Sequence, residues 1–264
     1  MVKPVRILVL GDIVGRPGRM ACRDHLQAWR DKLCIDLIIA NGENASGGNG
    51  LTVKNAGELF EYGIDFITSG NHIWKQKDFP ELFEKFPNVI RPANYPSSNP
   101  GKGWGMIKTR EGIEVAVVNL QGQVFMDPID SPFTAANKCL DEIGDSTKFI
   151  IVDFHAEATS ERMAMGLFLD WRVSAVLGTH THVQSADERI LAGGTAYQTD
   201  IGMVGPWNSV LGVDKDSILT KFTTGLPVRF EVAGGPVIAC GTIVTLNESG
   251  RADEIQRFRE ILGS

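Results

Sequence analysis

The chain has 264 residues, 43% of them hydrophobic and 22% charged, with 29 Gly and 12 Pro spread along it, which suits a globular protein with a large core and excludes a disordered one. A formal net charge of −6 argues against a long basic groove that would grip polymeric DNA or RNA. The N-terminal apolar run is too short for a signal peptide, no stretch nears the roughly 18 apolar residues of a membrane span, and Cys22, Cys34, Cys139 and Cys240 form no CxxC pair, so a cytoplasmic protein with reduced thiols is expected.

Residues 5–10 read as a buried strand. Pro17 then suits a first helical turn, and Cys22, Leu26, Trp29 and Leu33 share one helical face, with His25 at its edge. Residues 35–40 form a second strand, Val53, Ala56, Leu59 and Phe60 mark a second helix, and residues 65–69 a third strand, which implies a parallel sheet. The Pro-, Asn- and Gly-rich stretch 87–105 reads as a long loop, followed by strands at 106–109 and 113–120 that turn at Glu111 and Gly112. Ser131 and Pro132 open a helix to about Ile143; a strand at 148–154, a helix at 159–170 and a strand at 173–177 follow. From Glu188 the pattern turns strand-rich, with runs at 196–199 and 237–246 and a closing hairpin near 248–250; the tail ADEIQRFREIL fits helix or strand. No repeat or composition break marks a linker, so one α/β domain over 1–264 is expected, built of two packed mixed sheets with helices outside.

Nearly every unusual polar residue stands directly after a buried strand. Asp12 follows the first, Glu43 and Asn44 the second, Asn71 and His72 the third, His155 the strand at 148–154, and His180 and His182 the strand at 173–177. In open α/β sheets the carboxyl ends of strands line the ligand crevice, so these loops should converge. Two carboxylates, two amides and four of the five histidines give a nitrogen and oxygen donor set suited to iron, manganese or zinc. The alternate His residues of GTHTH can point one way along an extended segment, one toward each of two metals. Glu43 is assigned as the carboxylate bridging a pair about 3.5–4 Å apart.

Five segments carry a resemblance over nearly the whole chain: GDIVGRPGR, NGENASGGNG, GNHIW, DFHAEATSE and GTHTHVQ. In that order they resemble the calcineurin-like metallophosphoesterases, and more closely their bacterial branch, the YmdB-like phosphodiesterases. The broader family usually places a metal-binding His two residues after the first Asp, where Val14 stands here, and NGEN replaces an Asp-containing motif; in the branch both departures are the rule. The resemblance implies a four-layer α/β/β/α fold, with Asp12, Glu43, Asn44 and His182 around one metal and Glu43, Asn71, His155 and His180 around the other. It further implies two divalent or mixed-valence ions, iron or manganese, and hydrolysis of small phosphodiesters, 2′,3′-cyclic nucleotides such as 2′,3′-cAMP above all. A hydroxide between the cations would attack phosphorus while His72, as catalytic acid or phosphate contact, protonates the departing ribose oxygen.

Blander roles compete at single positions: Asp12 as a helix cap, Asn44 and Asn71 as turn residues, Arg16 and Arg19 as a solvated helix face, Asp153 and Glu157 as supports of the His155 ring or surface charges. Substrate choice is expected in the loops at 87–105 and 121–133. A phosphomonoesterase or nucleotidase of the same fold is one alternative function, and a non-catalytic regulatory scaffold is another. A small nucleotide is the expected partner, without a membrane; a homo-oligomer is left open.

Overall fold

The computed structural model describes residues 4–263. The first strand, β1 (Val5–Ile13), outlasts its apolar run by three residues and carries Asp12 near its end. Helix α1 (Gly15–Lys32) buries Cys22, Leu26 and Trp29, while His25 stacks on Trp29 with ring centroids 5.7 Å apart and takes no part in the polar cluster. β2 (Leu37–Asn41) runs parallel to β1, with Val9 opposite Ile39. Thr52 caps α2 (Val53–Glu61) by accepting from the Asn55 N–H, and β3 (Phe66–Thr68) lies parallel to β2.

A short helix, α3 (Phe79–Lys85), is hidden from sequence reading by its seven-residue length, too brief to show a period. β4 (Trp104–Lys108) and β5 (Glu114–Gln121) form the expected antiparallel hairpin, and α4 (Pro132–Ile143) starts after the cap Ser131. β6 (Ile150–His155), α5 (Thr159–Leu169) and β7 (Ala175–Thr179) continue the alternation, with β5, β6 and β7 parallel. Then come β8 (Arg189–Ile190), β9 (Ala196–Gln198), β10 (Met203–Pro206), α6 (Lys215–Thr224), β11 (Val237–Leu246) and β12 (Ala252–Leu262). The ambiguous tail is β12, antiparallel to β11. Its buried Phe258 and Leu262 share the strand face turned toward α1, at a spacing that also matches a helix, while Ala252, set off by a register shift opposite Thr245 and Leu246, packs between the sheets.

One sheet has the order β12-β11-β10-β1-β2-β3, with β11 also pairing β1; the other has β4-β5-β6-β7-β9-β8. Alternate residues of each strand face opposite ways, so Ile7, Val9 and Ile39 pack against Val117, Ile151 and Leu177 between the sheets. Leu8, Leu10 and Ile38 turn outward onto α1 and α2, and Val118, Val152 and Val176 onto α4 and α5. The result is helix, sheet, sheet, helix, the four layers expected. Each fully buried Leu or Ile contributes about 1.5–3 kcal/mol, which holds the strand ends in register and so fixes where the polar loops meet. Cys22, Cys139 and Cys240 are buried, Cys34 is exposed, and all four are free thiols. Among the described residues no helix is long and apolar enough to cross a membrane.

Candidate metal centre

The strand-end loops of both sheets meet at one edge. Asn41, the last residue of β2, donates to the Asp153 carboxylate of β6 at 3.0 Å, tying one sheet to the other beside the polar cluster. His155 Nε2 lies 3.2 Å from Glu43 Oε1, 3.1 Å from Asn71 Oδ1 and 3.0 Å from His180 Nδ1. On the other side of Glu43, Asn44 Nδ2 is 3.1 Å from both Glu43 Oε1 and His182 Nε2, and Asp12 Oδ1 is 3.8 Å from His182 Nε2. His72 completes the group, its Nδ1 2.7 Å from Asn44 Oδ1 and 3.4 Å from Glu43 Oε1. All eight residues singled out in the sequence are therefore neighbours, with Glu43 central. Gly70 makes the approach possible: a Cβ there would collide with the His155 ring and the Glu43 carboxylate.

The GTHTH segment reaches the site differently from the extended alternation expected. β7 ends at Thr179, and His180 (φ 106°) and His182 (φ 64°) both adopt left-handed backbone, costly for residues with a side chain. The turn is held from below. Asp200 accepts from the Thr181 N–H at 3.0 Å and hydroxyl at 2.8 Å, and is itself paired at 2.6 Å with the buried Arg162 of α5. Arg162 also donates to the carbonyls of Ala156, Thr179 and Thr199.

Hydrogen bonds also decide which nitrogen each histidine presents. The Thr179 hydroxyl donates its one proton to Asp153 Oδ1 at 2.7 Å, so at 2.9 Å from His155 Nδ1 it must accept, leaving the Nε2 lone pair facing Glu43, Asn71 and His180. His182 Nδ1 donates to the Leu211 carbonyl at 2.9 Å, freeing its Nε2. His180 Nε2 lies 3.2 Å from Glu157, which turns its Nδ1 inward. Asp153 thus supports His155 through Thr179, and Glu157 serves His180 instead. Thr179→Val keeps the volume but removes the relay. Metal affinity is expected to fall about 10–100-fold in a chelator competition, with an unchanged circular dichroism spectrum.

The electrostatics call for a cation. Burial pushes the Asp12 carboxyl up to about 6 despite His182 and His155 nearby, and Asp12 Oδ1 is buried without a hydrogen-bond partner. Burial alone would also raise Glu43, but contacts with His155 and His72 outweigh it and hold this carboxyl below its ordinary range. Burial opposes a charge on His155, yet Glu43 beside it prevails and lifts the imidazole to about 9, whereas burial and then the His155 charge depress His180 to about 3. Two nitrogens 3.0 Å apart cannot both carry protons between them; a metal ion satisfies both lone pairs and the carboxylates at once. Glu43, His155 and His180 each aim one ligand atom within 4.8 Å of the others, a group that fits a metal.

The cluster lines a cavity of about 380 Å³ whose far wall is formed by residues near 211–213 and 230–232. The loops at 87–105 and 121–133 carry the sequence expectation for substrate choice, but the first of them, with α4, lines a different cavity of about 500 Å³, where Tyr95 is committed to Gln121. The 230–232 wall leaves no mark in the sequence because it follows an excursion around α6 that has no clear period. Arg19 is also accounted for: it pairs with Glu58 at 3.0 Å and donates to the Ala45 carbonyl, clamping α1 to the loop after β2, away from any phosphate role. Sequence reasoning missed Asn41, Thr179, Arg162 and Asp200; an Asn ending an otherwise apolar strand is the one visible signal.

The sequence model of the family described as YmdB-like protein matches residues 8–258. The chain belongs to the YmdB-like family. It is 46% identical over 255 residues, covering 96% of each chain, to a Bacillus subtilis (strain 168) protein named 2′,3′-cyclic-nucleotide 2′-phosphodiesterase. The YmdB-like fold superposes on a crystal structure of a hypothetical protein from Thermus thermophilus with a TM-score of 0.92 and 41% identity, over 98% of this chain and 100% of that one. A Mycoplasma pneumoniae structure described as a novel phosphatase matches at 0.93 with 32% identity, over 100% and 95% of the two chains.

Proposed function

We propose that this YmdB-like chain is a hydrolase that opens 2′,3′-cyclic nucleotides at a centre of two iron or manganese ions. The observation that carries this reading is the placement of buried Glu43 between two donor sets, Asn71, His155 and His180 on one side and Asp12, Asn44 and His182 on the other, at the wall of a cavity sized for a small ligand. A 46% identical relative named for that reaction supports the substrate. Two cations held there supply Lewis acidity toward the phosphoryl group and toward water.

The chain's own residues do the rest. Glu43, by its shared position, keeps the two donor sets in fixed relation. Thr179 with Asp153 holds the His155 Nδ1 proton away from the site, so that Nε2 faces Glu43, Asn71 and His180. His72 commits Nδ1 to Asn44, and its Nε2 has no partner among the described residues. Burial lowers its pKa, so its protonated form gives up a proton readily. As a water oxygen bonds to phosphorus, the P–O bond to one ribose oxygen breaks, and protonated His72 delivers from Nε2 the proton that oxygen needs. His72→Ala is expected to keep full metal content and lose about 10²–10⁴-fold in kcat, read by elemental analysis and steady-state kinetics on one preparation.

The reading is tested by purifying the protein without chelator, counting its metals, and assaying 2′,3′-cyclic AMP, 3′,5′-cyclic AMP and a phosphomonoester with added manganese. Near two metals per chain with turnover of the 2′,3′-cyclic diester supports it. Monoester turnover alone replaces it with a nucleotidase, and neither metal nor turnover replaces it with a scaffold.

A further inference from the structure

The cavity at the metal centre has two unlike sides. One carries Glu43, Asn44, His72, His180 and His182; the other carries Leu211, Val213, Phe230 and Val232. The apolar side is built. Val213 bridges both Val210 and Val232, the Ala233 N–H donates to the Gly212 carbonyl at 2.9 Å, and the Asp214 N–H donates to the Glu231 carbonyl at 2.9 Å, so the two segments form a small ladder at the rim. Phe230 and Val232 are two residues apart on it and share a face. Val232 is anchored against Val14, Met203, Ile238 and Cys240, whereas Phe230 stays half exposed, as does Leu211, which also bears the strained left-handed backbone (φ 54°). The Leu211 carbonyl accepts from His182, so the wall is fastened directly to a candidate metal ligand.

We infer that this wall is a nucleobase subsite in which Phe230 stacks on the base of a nucleoside whose phosphoryl group lies against the metal ligands. This deepens the proposed function and rests on it for the position of the phosphoryl group. A cyclic phosphate is fused to its ribose, so the base is the one planar apolar part of the substrate and lies a single sugar away. An exposed aromatic ring facing that direction recovers hydration cost when a base covers it, and stacking tolerates any base because each has a π-face. No Lys or Arg is among the described residues lining the cavity, and Arg229 at its rim is paired with Glu231 at 3.8 Å, so the lining itself offers a single phosphoryl site at the metal ligands.

The test is a calorimetric titration of the manganese-loaded protein with adenosine 3′-monophosphate and, separately, inorganic phosphate, for the unaltered protein, Phe230→Ala and Phe230→Trp. The nucleotide is expected to bind at least about tenfold more tightly than phosphate; Phe230→Ala loses about tenfold on the nucleotide alone, and Phe230→Trp restores it. Equal loss on both ligands, no loss on either, or no preference of the unaltered protein for the nucleotide each overturns the subsite. A change in elution volume of Phe230→Ala with unaltered nucleotide binding assigns the wall to contact between copies of the chain and overturns it too. The titration needs no turnover, so failure of the diesterase reading shows in the substrate panel and failure of the base subsite shows here.

Discussion

Glu43→Ala is expected to strip the protein of metal and to lower turnover by about a thousandfold or more, because several kcal/mol of charge stabilisation leave with the ions. Glu43 is the group the two donor sets share: its Oε1 is 3.2 Å from His155 Nε2 and 3.1 Å from Asn44 Nδ2, and its Oε2 accepts from the His72 N–H at 3.0 Å. No neighbour replaces it, since Asp12 belongs to one donor set, its Oδ2 bonded to the His180 N–H and its Oδ1 on the His182 side, and Asp153 is committed to Thr68, Thr179 and Asn41. The decisive readout is thermal. A metal that binds only the folded state raises Tm by mass action, so manganese should raise the Tm of the chelator-treated protein and leave that of Glu43→Ala unmoved. A variant that still takes up near two metals per chain would show that Glu43 does not join the two sets.

Asp200→Ala is expected to cost about 3–5 kcal/mol of folding stability, the range for removing one partner of a buried ion pair. It strands Arg162, whose side chain is 2% exposed and 2.6 Å from Asp200, among carbonyls that cannot neutralise it. It also takes the acceptor from Thr181, the residue between His180 and His182, so the left-handed turn that presents both histidines loses its anchor. Urea denaturation in excess chelator isolates the folding term, and metal titration of the still-folded fraction reads the loss at the site. Asp200→Asn keeps an acceptor for Thr181 and should fall between. Unchanged stability of Asp200→Ala in chelator would remove the ion pair as the support of the loop.

The identities of the candidate ligands are legible along the chain because each sits where an apolar run stops. A buried parallel strand must be nearly all apolar, so a polar residue at its end announces a change of environment. Asp12, Glu43, Asn44, Asn71, His72, His155, His180 and His182 all carry that mark, and the alternation of strand and helix implies the layers that bring them to one edge. Elements whose burial is sparse are not legible. α6 buries Ile218 alone and β12 buries three residues, so neither shows a period strong enough to separate helix from strand.

The order of residues alone implies which side chains gather and what chemistry they suit, since donor type is a property of the side chain and strand ends follow from hydrophobic pattern. How they are held is visible in the folded chain alone. Thr179 orienting His155 from β7, Arg162 and Asp200 bracing the turn from α5 and the end of β9, and Phe230 facing the centre from beyond α6 are contacts between segments far apart in the chain. Their existence depends on register and layer packing, which no local pattern of residues encodes.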